Sequence, residues 1–104
     1  MKFLFICTEN LQRSPTAESI FKNHEEHEAK SVGISPFAEK KVNSSILNWA
    51  DLIFVMEAFH KNFIIKNFPE SESKIIILDI PDIYFRDDPK LVDILKENLG
   101  KFLN

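Results

Sequence analysis

The sequence is short of cysteine, of positive charge and of long apolar runs, and each shortage excludes a class of protein. The single cysteine, Cys7, excludes an intrachain disulfide, a multi-cysteine metal site and a CxxC redox pair, and it fits a reducing compartment where a free thiol survives. The formal net charge of −3 argues against a general nucleic-acid binder, because such proteins are usually basic. Since no apolar run approaches the length of a membrane span, we expect no membrane partner and a cytoplasmic location.

The remaining composition is that of a small soluble protein. A chain of 104 residues, with 44% hydrophobic and 28% charged residues, suits one domain over residues 1–104 with a modest core. One segment invites a metal-site reading, the run HEEHE at residues 24–28. It lacks the HExxH spacing because Glu28 stands where the second histidine should be, so it predicts a solvated helix end. We therefore predict no metal site and no cofactor.

Near the start of the chain, the spacing of apolar residues changes from that of a strand to that of a helix across a short polar loop. Residues 3–6 form an apolar run suited to a buried strand, which stops at Cys7. A helical pattern starts at Pro15, and Ser14 is predicted to be its N-cap. A tight loop between a strand and a helix aims backbone N–H groups and the positive end of the helix into one concavity. The pattern predicts an anion site there, with Cys7 beneath it and Arg13 at the end of the loop.

Four apolar runs alternate with helical patterns along the whole chain. The predicted strands cover residues 3–6, 29–34, 51–56 and 74–78. The helices between and after them are predicted from residue 15, near residues 43–50, over residues 59–68 and from Asp88, as the N-cap, to residue 103. This alternation predicts an α/β fold with three layers, in which a four-stranded parallel sheet carries helices on both faces.

Residues 7–18, CTENLQRSPTAE, resemble the signature of the low-molecular-weight protein tyrosine phosphatases, which is Cys, five residues, Arg, Ser, Pro and then Ala-Glu. The resemblance extends in order along the chain. It implies a phosphotyrosine phosphatase I-like fold with strand order 2-1-3-4, in which the loops after strands one and four share one edge. The positions that match the signature are Cys7, Asn10, Arg13, Ser14, Pro15, Ala17 and Glu18.

The resemblance implies phosphomonoester hydrolysis through a phosphocysteine intermediate, with a phosphorylated substrate as the partner. Cys7 would be the nucleophile, held as a thiolate by the loop, and Arg13 would offer its planar fork to the phosphoryl oxygens. In the family, residues matching Asn10 and Ser14 orient the loop and the thiolate. The predicted phosphate-binding residues are Thr8, Glu9, Asn10, Leu11, Gln12, Arg13 and Ser14.

A second resemblance concerns the general acid. Residues 80–84, IPDIY, resemble the Pro-Asp-Pro-Tyr of bacterial family members, which implies Asp82 as general acid and then base, with Tyr84 flanking the cleft. Asp88 remains an alternative acid because it stands in a literal Asp-Pro. An N-cap aspartate, however, accepts backbone hydrogen bonds that favour its carboxylate, so we expect Asp82 to be the acid.

Three departures from the family pattern leave alternatives open. Glu9 stands where the family usually has Gly, and Ile83 replaces a Pro. Only residues 34–50 separate Gly33 from Asp51, where the family has a longer segment that walls the pocket. One alternative is therefore a domain that binds phosphorylated partners or oxyanions without turnover. The other is an arsenate reductase, which would need an outside thiol. The sequence does not indicate an oligomeric state.

Overall fold

The computed structural model describes residues 1–103, in which strands alternate with helices. The strands are β1 (Lys2–Cys7), β2 (Glu28–Gly33), β3 (Leu52–Val55) and β4 (Ile75–Ile77). The helices are α1 (Arg13–Ile20), α2 (Ser44–Trp49), α3 (Ala58–Asn67), α4 (Pro89–Asn98) and α5 (Gly100–Leu103), and a 3-10 helix (Pro69–Lys74) precedes β4. No helix in the described part of the chain has the length and apolarity needed to cross a membrane.

The four strands form one parallel sheet in the order β2-β1-β3-β4, which confirms the predicted topology. Within the sheet, Phe5 of β1 pairs with Ser31 of β2 and with Phe54 of β3. Because all strands run the same way, the segments that follow β1, β3 and β4 leave the sheet at one edge. Parallel α/β sheets bind ligands at that carboxyl edge.

The central strand β1 is buried on both faces, which explains its continuous apolar run. Phe3 and Phe5 belong to a core with residues of α1 and α4, whereas Leu4 and Ile6 belong to a second core with residues of α2 and α3. Since the sheet lies between these two cores, the predicted three-layer arrangement is confirmed. Cys7, at the end of β1, points into the same layer as α1 and α4.

Three local predictions were wrong. Residues 24–28 are not a helix end, because α1 ends at Ile20 and these residues lead through a turn into β2. Helix α1 begins at Arg13 with Gln12 as its N-cap, and Ser14 lies inside the first turn. Ser14 cannot act as the cap because its hydroxyl is placed against the Cys7 sulfur instead of a backbone N–H group of the helix. The last helical pattern is also not continuous, because Leu99 caps α4 and a separate short helix starts at Gly100.

Gly33 marks the closest contact between β2 and the loop after β1. A Cβ atom at this position would lie 2.6 Å from the Thr8 carbonyl oxygen and 2.9 Å from the Asn10 nitrogen. Both are backbone atoms of that loop, so they cannot move aside as a flexible side chain would. Hydrogen bonds from the Ile34 N–H to the Cys7 carbonyl and from the Ser35 N–H to the Thr8 carbonyl hold the two segments together.

We expect Gly33→Ala to destabilise the protein by roughly 1–3 kcal/mol, because the added methyl group forces the backbone of the loop outward. Urea unfolding monitored by circular dichroism measures this change. Gly100→Ala is the matched control, since no atom lies within 4 Å of its added Cβ. The control should be neutral or slightly stabilising. Equal stability of the two variants would contradict the close packing of Gly33.

Candidate active site

The loop over residues 8–12 presents a row of unpaired backbone donors. Among the described residues, no protein group accepts a hydrogen bond from the backbone N–H groups of residues 9–12. Asn10 has a φ of 59°, a left-handed conformation that asparagine tolerates better than most residues. Successive N–H groups in such a turn, followed by the N-terminus of α1, form a concavity that binds anions.

The Cys7 thiol lies at the base of this loop and is only 3% exposed. Its Sγ is 2.9 Å from the Ser14 Oγ, and the Asn10 side-chain amide donates to the same Ser14 oxygen at 2.9 Å. Because Ser14 accepts from Asn10, its own hydroxyl proton is left for one of two acceptors, the Cys7 sulfur at 2.9 Å or the Val32 carbonyl oxygen at 3.4 Å. The Ser14 hydroxyl thus links the Cys7 sulfur to the Asn10 side chain at the base of the loop.

The Arg13 guanidinium is buried, with 1% exposure, and is held by groups from two other segments. Its Nη1 donates to the Glu57 Oε2 at 2.8 Å and to the Ile80 carbonyl oxygen at 2.7 Å. Since these bonds use both hydrogens of Nη1, the edge formed by Nε and Nη2 remains for a ligand. The Asp82 Oδ1 lies 3.8 Å from Nε, at that same edge.

A cavity of about 140 Å³ lies within the loop, with Cys7 in its lining. Asn10 and Ser14, which the sequence placed among the phosphate-binding residues, are buried behind this lining, so their contacts are with the loop and the sulfur. Tyr84 also lies outside the lining and packs against the core between the sheet and α4, so its role beside a substrate stays a prediction. The lining residues are Cys7, Thr8, Glu9, Leu11, Gln12, Arg13 and Asp82.

The two candidate acids have different environments. The Asp82 side chain is 62% exposed and stands at the mouth of the cavity, facing Arg13. The Asp88 side chain accepts a hydrogen bond from the Lys90 N–H and is the N-cap of α4, as predicted. Asp88 does not line the cavity. Of the two, only Asp82 is therefore placed where it could exchange a proton with a bound ligand.

Sequence reasoning missed two residues of the site, Glu57 and His60, which start α3. They form a capping box, in which the Glu57 side chain accepts from the His60 backbone N–H and the His60 Nδ1 accepts from the Glu57 N–H at 3.0 Å. The Glu57 carboxylate also binds Arg13, and the His60 Nε2 lies 2.9 Å from the Thr8 Oγ1. The available signal was Glu57 at the end of the apolar run that includes β3, with His60 three residues later.

The His60 ring is fully buried and neutral around pH 7. Burial, with the Arg13 charge as a second cause, lowers the pKa of His60 to about 4. Because Nδ1 accepts from Glu57, the proton of the neutral ring is on Nε2, which therefore donates to the Thr8 hydroxyl. The ring thus links α3 to the loop through one defined tautomer.

A larger groove of about 660 Å³ lies beside β2, near the C-terminal end of α1. Its lining comes mainly from α1, the segment before β2 and β2 itself, and includes Trp49 and Arg86. It contains neither the cysteine nor the row of unpaired N–H groups. The smaller cavity is therefore the candidate active site.

No family model matches the chain. A curated relative, the protein-arginine-phosphatase of Geobacillus stearothermophilus, is 27% identical in an alignment 103 positions long that covers 74% of this chain and 68% of the relative. A low-molecular-weight protein tyrosine phosphatase from T. tengcongensis is 26% identical, with a TM-score of 0.75 over 96% of this chain and 93% of that structure. Vibrio vulnificus Wzb, solved with benzylphosphonate, is 23% identical and has a TM-score of 0.81 over 98% and 96% of the two chains.

The lowered pKa of His60 predicts a pH dependence of stability. In the unfolded chain the ring binds a proton below about pH 6.5, whereas the folded protein excludes it until about pH 4. The free energy of unfolding should therefore fall as pH drops through this window, by up to about 1.4 kcal/mol per pH unit. Urea unfolding of the wild-type protein and of His60→Gln from pH 7.5 to 4 measures the difference between their free energies of unfolding. The contributions of the other histidines cancel in this difference. A pH-independent difference would contradict the prediction.

Proposed function

We propose that the chain is a member of the low-molecular-weight protein tyrosine phosphatase family and hydrolyses phosphomonoesters through a phosphocysteine formed on Cys7. The observation that carries the proposal is the position of the Cys7 sulfur below four unpaired backbone N–H groups and beside the buried Arg13 guanidinium. No other part of the described chain combines a nucleophile with a preorganised anion site. A reducing compartment such as the cytoplasm would keep this thiol free.

In the first step, the Cys7 thiolate attacks phosphorus and the bond from phosphorus to the leaving oxygen breaks. Asp82 donates its proton to that oxygen, so the product leaves as a neutral alcohol. The loop N–H groups and the free edge of Arg13 bind the equatorial phosphoryl oxygens, whose charge they stabilise in the transition state. The Asp82 carboxyl is suitably placed, since it faces the same edge of Arg13.

In the second step, water attacks the phosphocysteine. The Asp82 carboxylate takes a proton from that water, the sulfur–phosphorus bond breaks, and inorganic phosphate and the Cys7 thiolate are released. The Ser14 hydroxyl stabilises the thiolate as a leaving group, because it lies 2.9 Å from the sulfur. The cycle therefore returns Cys7 and Asp82 to their starting protonation states.

The size of the cavity limits how much of a substrate it encloses. About 140 Å³ is well below the roughly 300–1,000 Å³ of a pocket that encloses a drug-sized ligand. The phosphoryl group fits inside, and the rest of the substrate lies at the mouth. The exposed Leu11 side chain there offers an apolar contact to an aromatic ring, which favours aryl phosphates such as phosphotyrosine.

A second candidate substrate is phosphoarginine. Two carboxylates, Glu9 and Asp82, line the mouth of the cavity, where they would pair with a guanidinium group. The curated relative from Geobacillus stearothermophilus is named as an arginine phosphatase. The aryl phosphate remains the first candidate because of Leu11, and direct comparison of the two substrates decides between them.

We expect the purified protein to hydrolyse p-nitrophenyl phosphate and a phosphotyrosine peptide, with vanadate as a competitive inhibitor. Cys7→Ser should lose at least about a thousandfold in kcat, because a serine hydroxyl at this site is far less ionised and less nucleophilic. It should still bind phosphate, since the loop N–H groups remain. Steady-state kinetics and calorimetric titration measure the two properties.

Two outcomes would change this assignment. Faster hydrolysis of a phosphoarginine peptide than of the matched phosphotyrosine peptide would favour the second substrate. Tight phosphate binding by the wild-type protein without turnover of either peptide would favour a binding domain instead of an enzyme.

We further expect Asp82→Asn to slow hydrolysis most for substrates with poorly acidic leaving groups, because they depend on protonation. A loss of roughly 10²–10⁴-fold in kcat is expected for them. Asp88→Asn is the matched control and should leave kcat nearly unchanged, with at most about 1 kcal/mol lost in stability, since asparagine also caps helices. A series of aryl phosphates with different leaving-group pKa measures the effect. The opposite result would place the acid at Asp88.

A further inference from the structure

We propose that Glu57 and His60, the capping box of α3, are positioning residues that hold the two parts of the anion site in register. Glu57 fixes the guanidinium of Arg13, and His60 fixes the loop through the hydroxyl of Thr8. This inference rests on the proposed phosphatase function, and its test includes a binding measurement that does not need turnover.

The Arg13 side chain needs this support because it enters the site from α1 and its own helix offers it no partner. The two contacts that hold its Nη1 come from Glu57 at 2.8 Å and the Ile80 carbonyl oxygen at 2.7 Å. Together these two hydrogen bonds use both Nη1 hydrogens, so the Nε–Nη2 edge faces the cavity. Without the carboxylate, one Nη1 hydrogen would be buried and unpaired, and the guanidinium could rotate about its last bonds.

Thr8 is held from two sides. Its carbonyl oxygen accepts from the Ser35 N–H at 2.9 Å, on the β2 side of the loop. Its hydroxyl receives the hydrogen bond from the His60 Nε2 at 2.9 Å, on the α3 side. Thr8 is the first residue after Cys7 and precedes the row of unpaired N–H groups. Fixing Thr8 at both its backbone and its side chain therefore sets the direction in which that row begins.

The capping box makes these two contacts depend on each other. Within it, Glu57 and His60 each accept a backbone hydrogen bond from the other, so neither side chain can turn without breaking the start of α3. The same two side chains reach Arg13 and Thr8 with their remaining polar atoms. The helix start thus determines the distance between the guanidinium and the loop, which together must surround one phosphoryl group.

Two substitutions cut one contact each and leave the helix cap in place. Glu57→Asp keeps a good N-cap residue but shortens the side chain by one methylene, so its carboxylate no longer reaches Arg13. Thr8→Val keeps the shape of the side chain and removes only the hydroxyl that His60 contacts. We expect each to lower kcat for p-nitrophenyl phosphate by roughly ten- to a hundredfold, because small displacements of reacting groups are costly. The fall in kcat should exceed the rise in KM, since the loop and Arg13 act most strongly in the transition state.

Matched controls separate positioning from stability. Asn43→Ala removes the N-cap of α2, where Asn43 accepts from the Ile46 N–H, and should lower the Tm without changing kcat. Thr8→Ser restores the hydroxyl and should recover kcat to within about twofold of the wild-type protein. His60→Ala combined with Thr8→Val should be little worse than His60→Ala alone, because the contact that Thr8→Val removes is already lost in His60→Ala. All assays are run at a temperature where every variant is folded by circular dichroism.

The dissociation constant of inorganic phosphate, measured by calorimetric titration, provides the readout that is independent of turnover. Thr8→Val should weaken phosphate binding about tenfold, and Asn43→Ala should leave it unchanged. Unchanged phosphate binding and unchanged kcat in both Thr8→Val and Glu57→Asp would overturn the proposal. If the wild-type protein binds phosphate but hydrolyses no phosphomonoester, the proposed function fails, while the binding series still decides whether these residues position the loop.

Discussion

A guanidinium group removed from water must be paired, and the carboxyl edge of this sheet is arranged around that requirement at Arg13. Burying an uncompensated charge costs several kcal/mol, so a 1% exposed arginine persists only where other segments supply acceptors. The start of α3 supplies the Glu57 carboxylate, and the segment after β4 supplies the Ile80 carbonyl oxygen. The charge therefore connects three segments that are far apart in sequence, and it leaves one edge unsatisfied toward the cavity.

The fold could be predicted because its signals are local and repeated. The apolar runs of β1 and β3, the Pro89 after the Asp88 cap and the spacing of α4 each correspond to one element of the structure. With parallel strands, these elements leave few possible topologies. The residue Ser14 shows where such reasoning fails. Its position suits an N-cap, but a contact with Cys7, seven residues earlier, determines where its hydroxyl points.

The site was predictable where the chain is continuous and unpredictable where it is assembled from distant parts. Cys7, Arg13 and the residues between them form one loop, so a short pattern is enough to find them. Glu57 and His60 lie 44 and 52 positions from their partners Arg13 and Thr8. His60 is also a rare partner in a capping box, where Glu or Gln is usual, so the pattern was not recognised. Both candidate acids, Asp82 and Asp88, were found from the sequence. Their environments differ in the structure, because the Asp88 side chain accepts a hydrogen bond from the Lys90 N–H.

The isolation of Cys7 has a consequence for its response to oxidants. A nucleophilic cysteine reacts with peroxide to form a sulfenic acid, which many enzymes protect by condensing it with a second cysteine. These 104 residues contain no second cysteine. Within these residues the sulfenic acid could condense only with a backbone nitrogen to a sulfenamide, and otherwise it needs a small thiol from solution before a second oxidation makes the damage irreversible. The 3% exposure of Cys7 limits how large that thiol can be, since it must enter through the same narrow cavity as the phosphoryl group.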